Sequence, residues 1–224
     1  MSDYLFEMHF HTDESSGCGK IPAAEGVELY IEKGYDGIVV TDHFQMYRVN
    51  TEAEYLEYAK QQKEGYEAAL KAANGRIKIL RGMEYRPRGT DNDYLVYGVT
   101  DEFVFSHPEL KDTDFRQFST LAHENGLIVF QAHPFRNHMT VTPPDLLDGI
   151  EVYNGNRRHN SRNLIAQAWA DMHGMRKISG SDFHQTEDLA TGGTIFTKEI
   201  NDEKELIAEL MNGIYGQKTM PLER

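Results

Sequence analysis

The sequence predicts an α/β fold built on parallel strands, either a β/α barrel or an open sheet, in a single domain. Three observations carry this reading. Short apolar runs alternate with amphipathic helical patterns from one end of the chain to the other. A glycine follows each helical pattern, where a left-handed stop is expected. No repeat, linker or low-complexity tract interrupts the alternation, and 224 residues fall short of two average domains.

Taken in order, residues 4–8 (Y-L-F-E-M) read as the first strand. Pro22, a favoured first helical residue, opens a helix with Val27, Tyr30 and Ile31 on one face, closed by Gly34. Gly37–Val40 has the continuous β-branched character of a strand buried on both faces. Thr51 and Glu54 fit a capping box for a helix carrying Tyr55, Ala59, Tyr66, Leu70 and Ala73 and ending before Gly75. Further strands are expected at 77–80, Tyr94–Tyr97, 127–130, 149–152 and 177–179. Three more helices are expected, around Phe115, Phe118 and Ala122, around Leu164, Ile165, Ala168 and Trp169, and around Leu206, Ile207, Leu210 and Met211.

Composition narrows the function. Hydrophobic residues make up 39% and charged residues 26%, a globular balance that excludes disorder. Lys and Arg number 23 against 36 Asp and Glu, a net charge of −13, so a duplex nucleic-acid binder that neutralises phosphates is not expected. A local basic pocket stays open. Cys18 is the sole cysteine, which excludes an internal disulfide. No basic stretch precedes an apolar run at the N-terminus, and no apolar run is long enough to span a bilayer. A cytoplasmic location without a membrane partner is the expectation.

The chemistry collects at the ends of strands. His9 and His11 follow the first strand in M-H-F-H-T, and Asp42 and His43 follow the second in V-V-T-D-H. Glu84 ends the third in R-G-M-E-Y, His133 stands in F-Q-A-H-P, and Asp182 and His184 in S-G-S-D-F-H. Taken singly, a histidine at a strand end is more often structural than a ligand, Asp42 fits a helix cap and Glu84 a surface acid. Five such coincidences at equivalent positions point elsewhere, because the carboxyl ends of parallel strands share one face. Crowded acids repel and crowded imidazoles resist protonation, and divalent metals relieve both. His9 and His11, two apart on an extended segment, lie on one side and can hold one ion. Two or three ions drawn from manganese, iron and zinc would suit these donors, and paired ions serve hydrolysis.

In this order and spacing, H-F-H-T, T-D-H, the lone Glu84, A-H-P and S-D-F-H resemble the PHP (polymerase and histidinol phosphatase) family, from Tyr4 to about Thr197. The resemblance implies a distorted seven-stranded, TIM-like β/α barrel with two or three metals at the carboxyl ends of its strands. It implies that His9, His11, Glu84 and Asp182 hold a first ion, that Glu84 bridges to a second bound by His133, and that His43 and His184 hold a third. Two positions depart from the family pattern. Asp93 stands where many members have a second-site histidine, and remains a candidate ligand. Ser16 stands where many have a third-site acid, which makes Asp13 the candidate substitute. Cys18 is read as a turn residue. Glu84, Asp182 and His184 are the candidate catalytic residues.

Basic residues near these strand ends stand out in an acidic chain: Arg86 and Arg88, Arg136 in H-P-F-R, and Arg157 and Arg158 after Asn154-Gly155. Guanidinium groups fork onto phosphate oxygens, so Arg136, Arg86 and Asn154 are the candidate substrate contacts. The expected activity is hydrolysis of a small phosphomonoester, a phosphorylated metabolite or nucleotide. Cleavage of a C–N bond and a non-catalytic metal-binding domain are the alternatives. The oligomeric state is not legible.

Overall fold

A computed structural model of the chain describes residues 3–220. Ten strands form one sheet: β1 (Tyr4–Phe10), β2 (Gly37–Val40), β3 (His43–Gln45), β4 (Lys78–Arg86), β5 (Tyr94–Tyr97), β6 (Ile128–Gln131), β7 (Gly149–Asn154), β8 (Arg176–Gly180), β9 (Gly192–Phe196) and β10 (Tyr215–Thr219). Six α-helices accompany them: α1 (Ala23–Glu32), α2 (Glu52–Ala73), α3 (Asp101–Ser106), α4 (Phe115–Glu124), α5 (Asn163–His173) and α6 (Glu203–Asn212). The hydrogen-bonded order is β10-β9-β1-β2-β4-β5-β6-β7-β8, with β3 also beside β4. Just past the end of β8 the sheet nearly closes on itself. There the His11 N–H donates to the Phe183 carbonyl, and the Phe183 N–H donates to that of His9, both at 3.0 Å. The result is a distorted barrel, as expected.

The strand count differs from the seven expected, and the reasons are local. β3 continues the line of β2 after a break at Thr41-Asp42, and both pair in parallel with β4. β9 opens on Gly192-Gly193, and β10 reads Y-G-Q-K-T, so neither shows a hydrophobic run. The expectation of parallel strands throughout also needs correction. β5 runs antiparallel to β4 and β6, and β9 antiparallel to β1 and β10. The link between β4 and β5 is too short for the crossover of about a dozen residues that a parallel pair needs.

Helix starts follow the sequence signals. Thr51 and Glu54 form their capping box, and α2 ends on Asn74 in a left-handed conformation. Pro22 stands just before α1 rather than as its first residue. In α5, Leu164 and Ile165 are exposed while Ala166 and Ala170 are buried against Ile150 and Val152. Small residues set that helix close to β7. One apolar cluster gathers Met8, Val39, Leu80, Leu95, Tyr97, Phe130 and Ile178 from six strands, with Leu206 and Leu210 of α6.

α2 approaches the loops after β1 and β2 closely at Gly65, where a Cβ would overlap Thr12 Oγ1 and Asp42 Oδ2. This contact braces the strand ends that carry the histidines. Among the described residues, no helix is long and apolar enough to cross a membrane.

Candidate metal centre

The histidines and acids expected at strand ends meet around Glu84. His9 is the second-last residue of β1 and His11 lies just past its end, with ring centroids 5.0 Å apart. Strand register sets His43 beside Glu84, and His43 Nδ1 lies 2.7 Å from Glu84 Oε2. His133, after β6, brings Nε2 to 3.0 Å from Glu84 Oε1. The Nε2 atoms of His9 and His11 lie 3.3 and 3.4 Å from Oε1 and Oε2 of the same carboxylate. Asp182, after β8, places Oδ1 3.5 Å from each of those two nitrogens. His133 and Asp182 both adopt positive φ, 29° and 51°, at the turns that follow their strands. Such backbone is strained for a residue with a side chain and is characteristic of functional sites.

His9 Nε2, His11 Nε2 and His43 Nδ1 are buried without a hydrogen-bond partner. A buried polar atom left so costs about 1–3 kcal/mol. Their convergence on two carboxylates fits a divalent cation, which satisfies bare imidazole nitrogens and carboxylate oxygens together. Among the described residues, four overlapping donor groups have ligand atoms within 4.8 Å of one another: His9, His11 and Glu84; His9, His133 and Asp182; Glu84, Asp93 and His133; and His11, His43 and His184.

Charge follows the same geometry. Burial opposes the Glu84 charge, yet His43 and His9 beside it hold its carboxyl well below the usual range. Asp182 is held down against burial by His9 and Arg136. Burial pushes His11 well below its ordinary value, and His184 and His43 add to the effect, so its ring stays neutral.

Several predicted residues make further contacts or lie apart from the cluster. Asp13 is exposed and belongs to none of these groups. Asp42 is buried instead, accepting from Thr12 N at 2.7 Å, Thr12 Oγ1 at 2.8 Å and Ser16 Oγ at 2.7 Å, and burial pushes its pKa up to about 6. Asp93 lies in one donor group, 3.9 Å from His133 Nε2. Both its oxygens are gripped by Arg86, at 2.6 and 2.5 Å.

Arg136 donates to Asp182 Oδ2 at 2.5 Å, Asn154 Oδ1 at 2.7 Å and Ser161 Oγ at 3.0 Å. Asn154 is buried, with Nδ2 donating to Glu151 Oε2 at 2.9 Å. The two arginines expected to meet substrate thus hold acids in place, and Asn154 braces Arg136 and Asp182.

One residue and one contact escaped the sequence reading. Glu151, in β7, brings Oε1 to 3.0 Å from His9 Nδ1 while its Oε2 accepts from the His133 N–H at 2.9 Å. An acid within a strand buried on both faces was the available signal. Cys18 does lie in a turn, as expected, and that turn carries its thiol to two imidazoles. Its Sγ lies 3.1 Å from Nε2 of both His43 and His184. Burial raises this thiol, but His184 and His43 outweigh it and bring the pKa down to about 6.

Above the cluster opens a cavity of about 490 Å³, lined by Glu84, Asp93, His133, Asp182, His43, His184 and Cys18 and by Arg86, Arg136, His138, Arg158 and His159. Asn154 is not among its lining residues.

Structures of the same fold are known. A protein of Bifidobacterium adolescentis, provisionally named a metal-dependent phosphoesterase, is 16% identical with a TM-score of 0.58, covering 93% of this chain and 96% of its own. An amidohydrolase from Chromobacterium violaceum, with bound sulfate and no metal, is 17% identical with a TM-score of 0.57, over 91% of this chain and 96% of its own. Endonuclease Q, in complex with a 27-mer duplex carrying an abasic lesion at the active site, is 17% identical with a TM-score of 0.63. The match covers 98% of this chain but 59% of endonuclease Q. No curated protein sequence matches the chain.

The duplex complex overturns the exclusion of duplex nucleic acid drawn from net charge. A charge of −13 counts the whole surface, whereas a duplex meets only the local field around a site. The model of the PHP domain matches residues 7–221, and the ordered histidines and acids of that span are those gathered around Glu84: this chain belongs to the PHP domain family.

Proposed function

We propose that the chain is a metal-dependent phosphoesterase that hydrolyses a small phosphomonoester, a phosphorylated metabolite or nucleotide. One observation carries the reading: buried ring nitrogens without partners converge on Glu84 and Asp182 at the floor of a cavity with a cationic rim. Its volume, about 490 Å³, falls in the range of small-molecule sites. The provisional name of the Bifidobacterium protein agrees with this class.

Divalent ions held by His9, His11, Glu84 and Asp182, by Glu84, His133 and Asp93, and by His43 and His184 would place positive charge on a phosphoryl group and lower the pKa of an attacking water. Glu84 faces His9 and His133 with one oxygen and His11 and His43 with the other, which supports a bridging role. Glu151 holds the His9 proton on Nδ1 and leaves Nε2 bare. Arg136 neutralises the second oxygen of Asp182. On the rim, Arg158 makes a longer contact with Asp188, 3.4 Å, and is the cation best placed to turn to a phosphate dianion.

The test is turnover of a panel of phosphomonoesters, a phosphodiester, abasic duplex DNA and an amide, with metal content measured on the same preparation. Monoester turnover that rises with metal content is expected. Turnover of the amide alone would move the protein to C–N hydrolysis, and bound metal without any turnover would make it a non-catalytic binding domain.

A further inference from the structure

We propose that Cys18 is a metal ligand, its thiolate joining His43 and His184 in a third cation site that favours zinc or iron(II) over manganese. The proposal rests on the metal-binding reading of the Glu84 centre and adds to it a sulfur donor.

The sulfur lies near ligand spacing from each ring. Tetrahedral zinc, with bonds of about 2.3 Å to sulfur and 2.0–2.1 Å to nitrogen, separates the two donors by about 3.5 Å. Here Sγ lies 3.1 Å from each Nε2, and the three side chains must adjust about an ion as it binds.

His184 Nδ1 lies 2.9 Å from the main-chain oxygen of Asp182, which leaves Nε2 as the ring atom that faces the sulfur. His43 turns Nδ1 toward Glu84 Oε2 at 2.7 Å and likewise presents Nε2 to the same sulfur. A cation among the three atoms would draw on all three donors.

The surroundings point the same way. His11 Nε2 is buried and unpartnered, and the His11 ring lies 4.4 Å from that of His43 and 4.2 Å from that of His184. Cys18 is also held rather than loose. The Gly19 N–H donates to Ser16 O and the Lys20 N–H to the main-chain oxygen of His184, both at 2.8 Å, tying its loop to one partner ring's own segment. A Cβ at Gly19 would overlap Thr12 O, so this tight return of the chain needs the glycine. A soft thiolate suits zinc and iron(II), whereas manganese prefers oxygen donors.

The experiment is a cobalt(II) titration of the full chain, stripped of metal by a chelator. Cys18 is the sole cysteine, so any thiolate-to-cobalt charge-transfer band in the near ultraviolet comes from it. The band is expected to rise to a plateau with one bound equivalent. It should be lost completely in Cys18→Ser and Cys18→Asp, which keep the visible bands of cobalt at the remaining sites. Zinc is likewise expected to suppress alkylation of Cys18 by iodoacetamide in the unmutated protein, a readout that does not depend on the variants folding. Visible cobalt bands without charge transfer, with alkylation indifferent to zinc, would overturn the sulfur ligand and leave the proposed function standing. No cobalt bands at all would overturn both.

Discussion

Replacing Glu151 by Gln tests how the centre is held, because the change is small in shape and specific in its protons. Glu151 is buried and accepts on both sides: from the His133 N–H and Asn154 Nδ2 on Oε2, with His9 Nδ1 on Oε1 at 3.0 Å. A glutamine turned with its oxygen to His133 presents NH2 to His9. Two donors then face each other, and relief comes by moving the His9 proton from Nδ1 to Nε2. That caps the nitrogen that faces Glu84 and Asp182 at 3.3 and 3.5 Å. Turned the other way, the amide confronts the His133 N–H and strains the strand end carrying another ligand.

Losing such an outer partner typically lowers metal affinity about 10–100-fold. That is roughly 1.4–2.8 kcal/mol at 1.4 kcal/mol per tenfold. Competition of the stripped protein against a chromophoric chelator measures it, with far-UV circular dichroism as the control for folding. Affinity within about twofold of the original, in a natively folded variant, would refute the claim that Glu151 sets the His9 proton.

The remaining expectations follow from the same contacts. Glu84→Gln should lower metal content and abolish nearly all hydrolysis while circular dichroism stays native, and full activity would reduce Glu84 to a structural acid. Arg136→Ala should weaken metal binding as well as cut kcat/KM by about ten- to a hundredfold, because Arg136 bonds Asp182 directly; metal titration beside steady-state kinetics separates the two effects. Gly65→Ala forces a methyl into Thr12 and Asp42 and should cost about 1–3 kcal/mol. At roughly 2–4 °C per kcal/mol this lowers Tm by about 2–12 °C, read by thermal circular dichroism. Metal at about 100-fold over its Kd should stabilise the chain by roughly 2.7 kcal/mol, and a chelator should reverse the gain in the same melt.

The order of apolar runs and glycine stops was enough to place β2 and β5 at their observed bounds and to find every helix except the short α3. It also located the centre. Histidines and acids at the carboxyl ends of His9's, His43's, His133's and Asp182's strands lie on a common face wherever such strands run in parallel, whatever the closing details of the sheet. These are local features, written in the chain within a few residues of where they act. Asp13, Cys18 and Glu151 show where that legibility ends. Asp13 has the right chemistry and the right neighbourhood in sequence, but the chain turns after Thr12 and leaves it in solvent while bringing Cys18 back onto His43 and His184. Glu151 looks like one acid in an apolar strand until β7 sets it against His9, 142 residues away. The arginines tell the same story: their charge is legible, their partners are not, and Arg86 and Arg136 turn to Asp93 and Asp182 because buried carboxylates need a counter-charge within reach. Residue type and local pattern decide which groups arrive at a strand end; which atoms they then face depends on long-range packing, and a hydrogen bond or a metal bond is decided within a few tenths of an ångström.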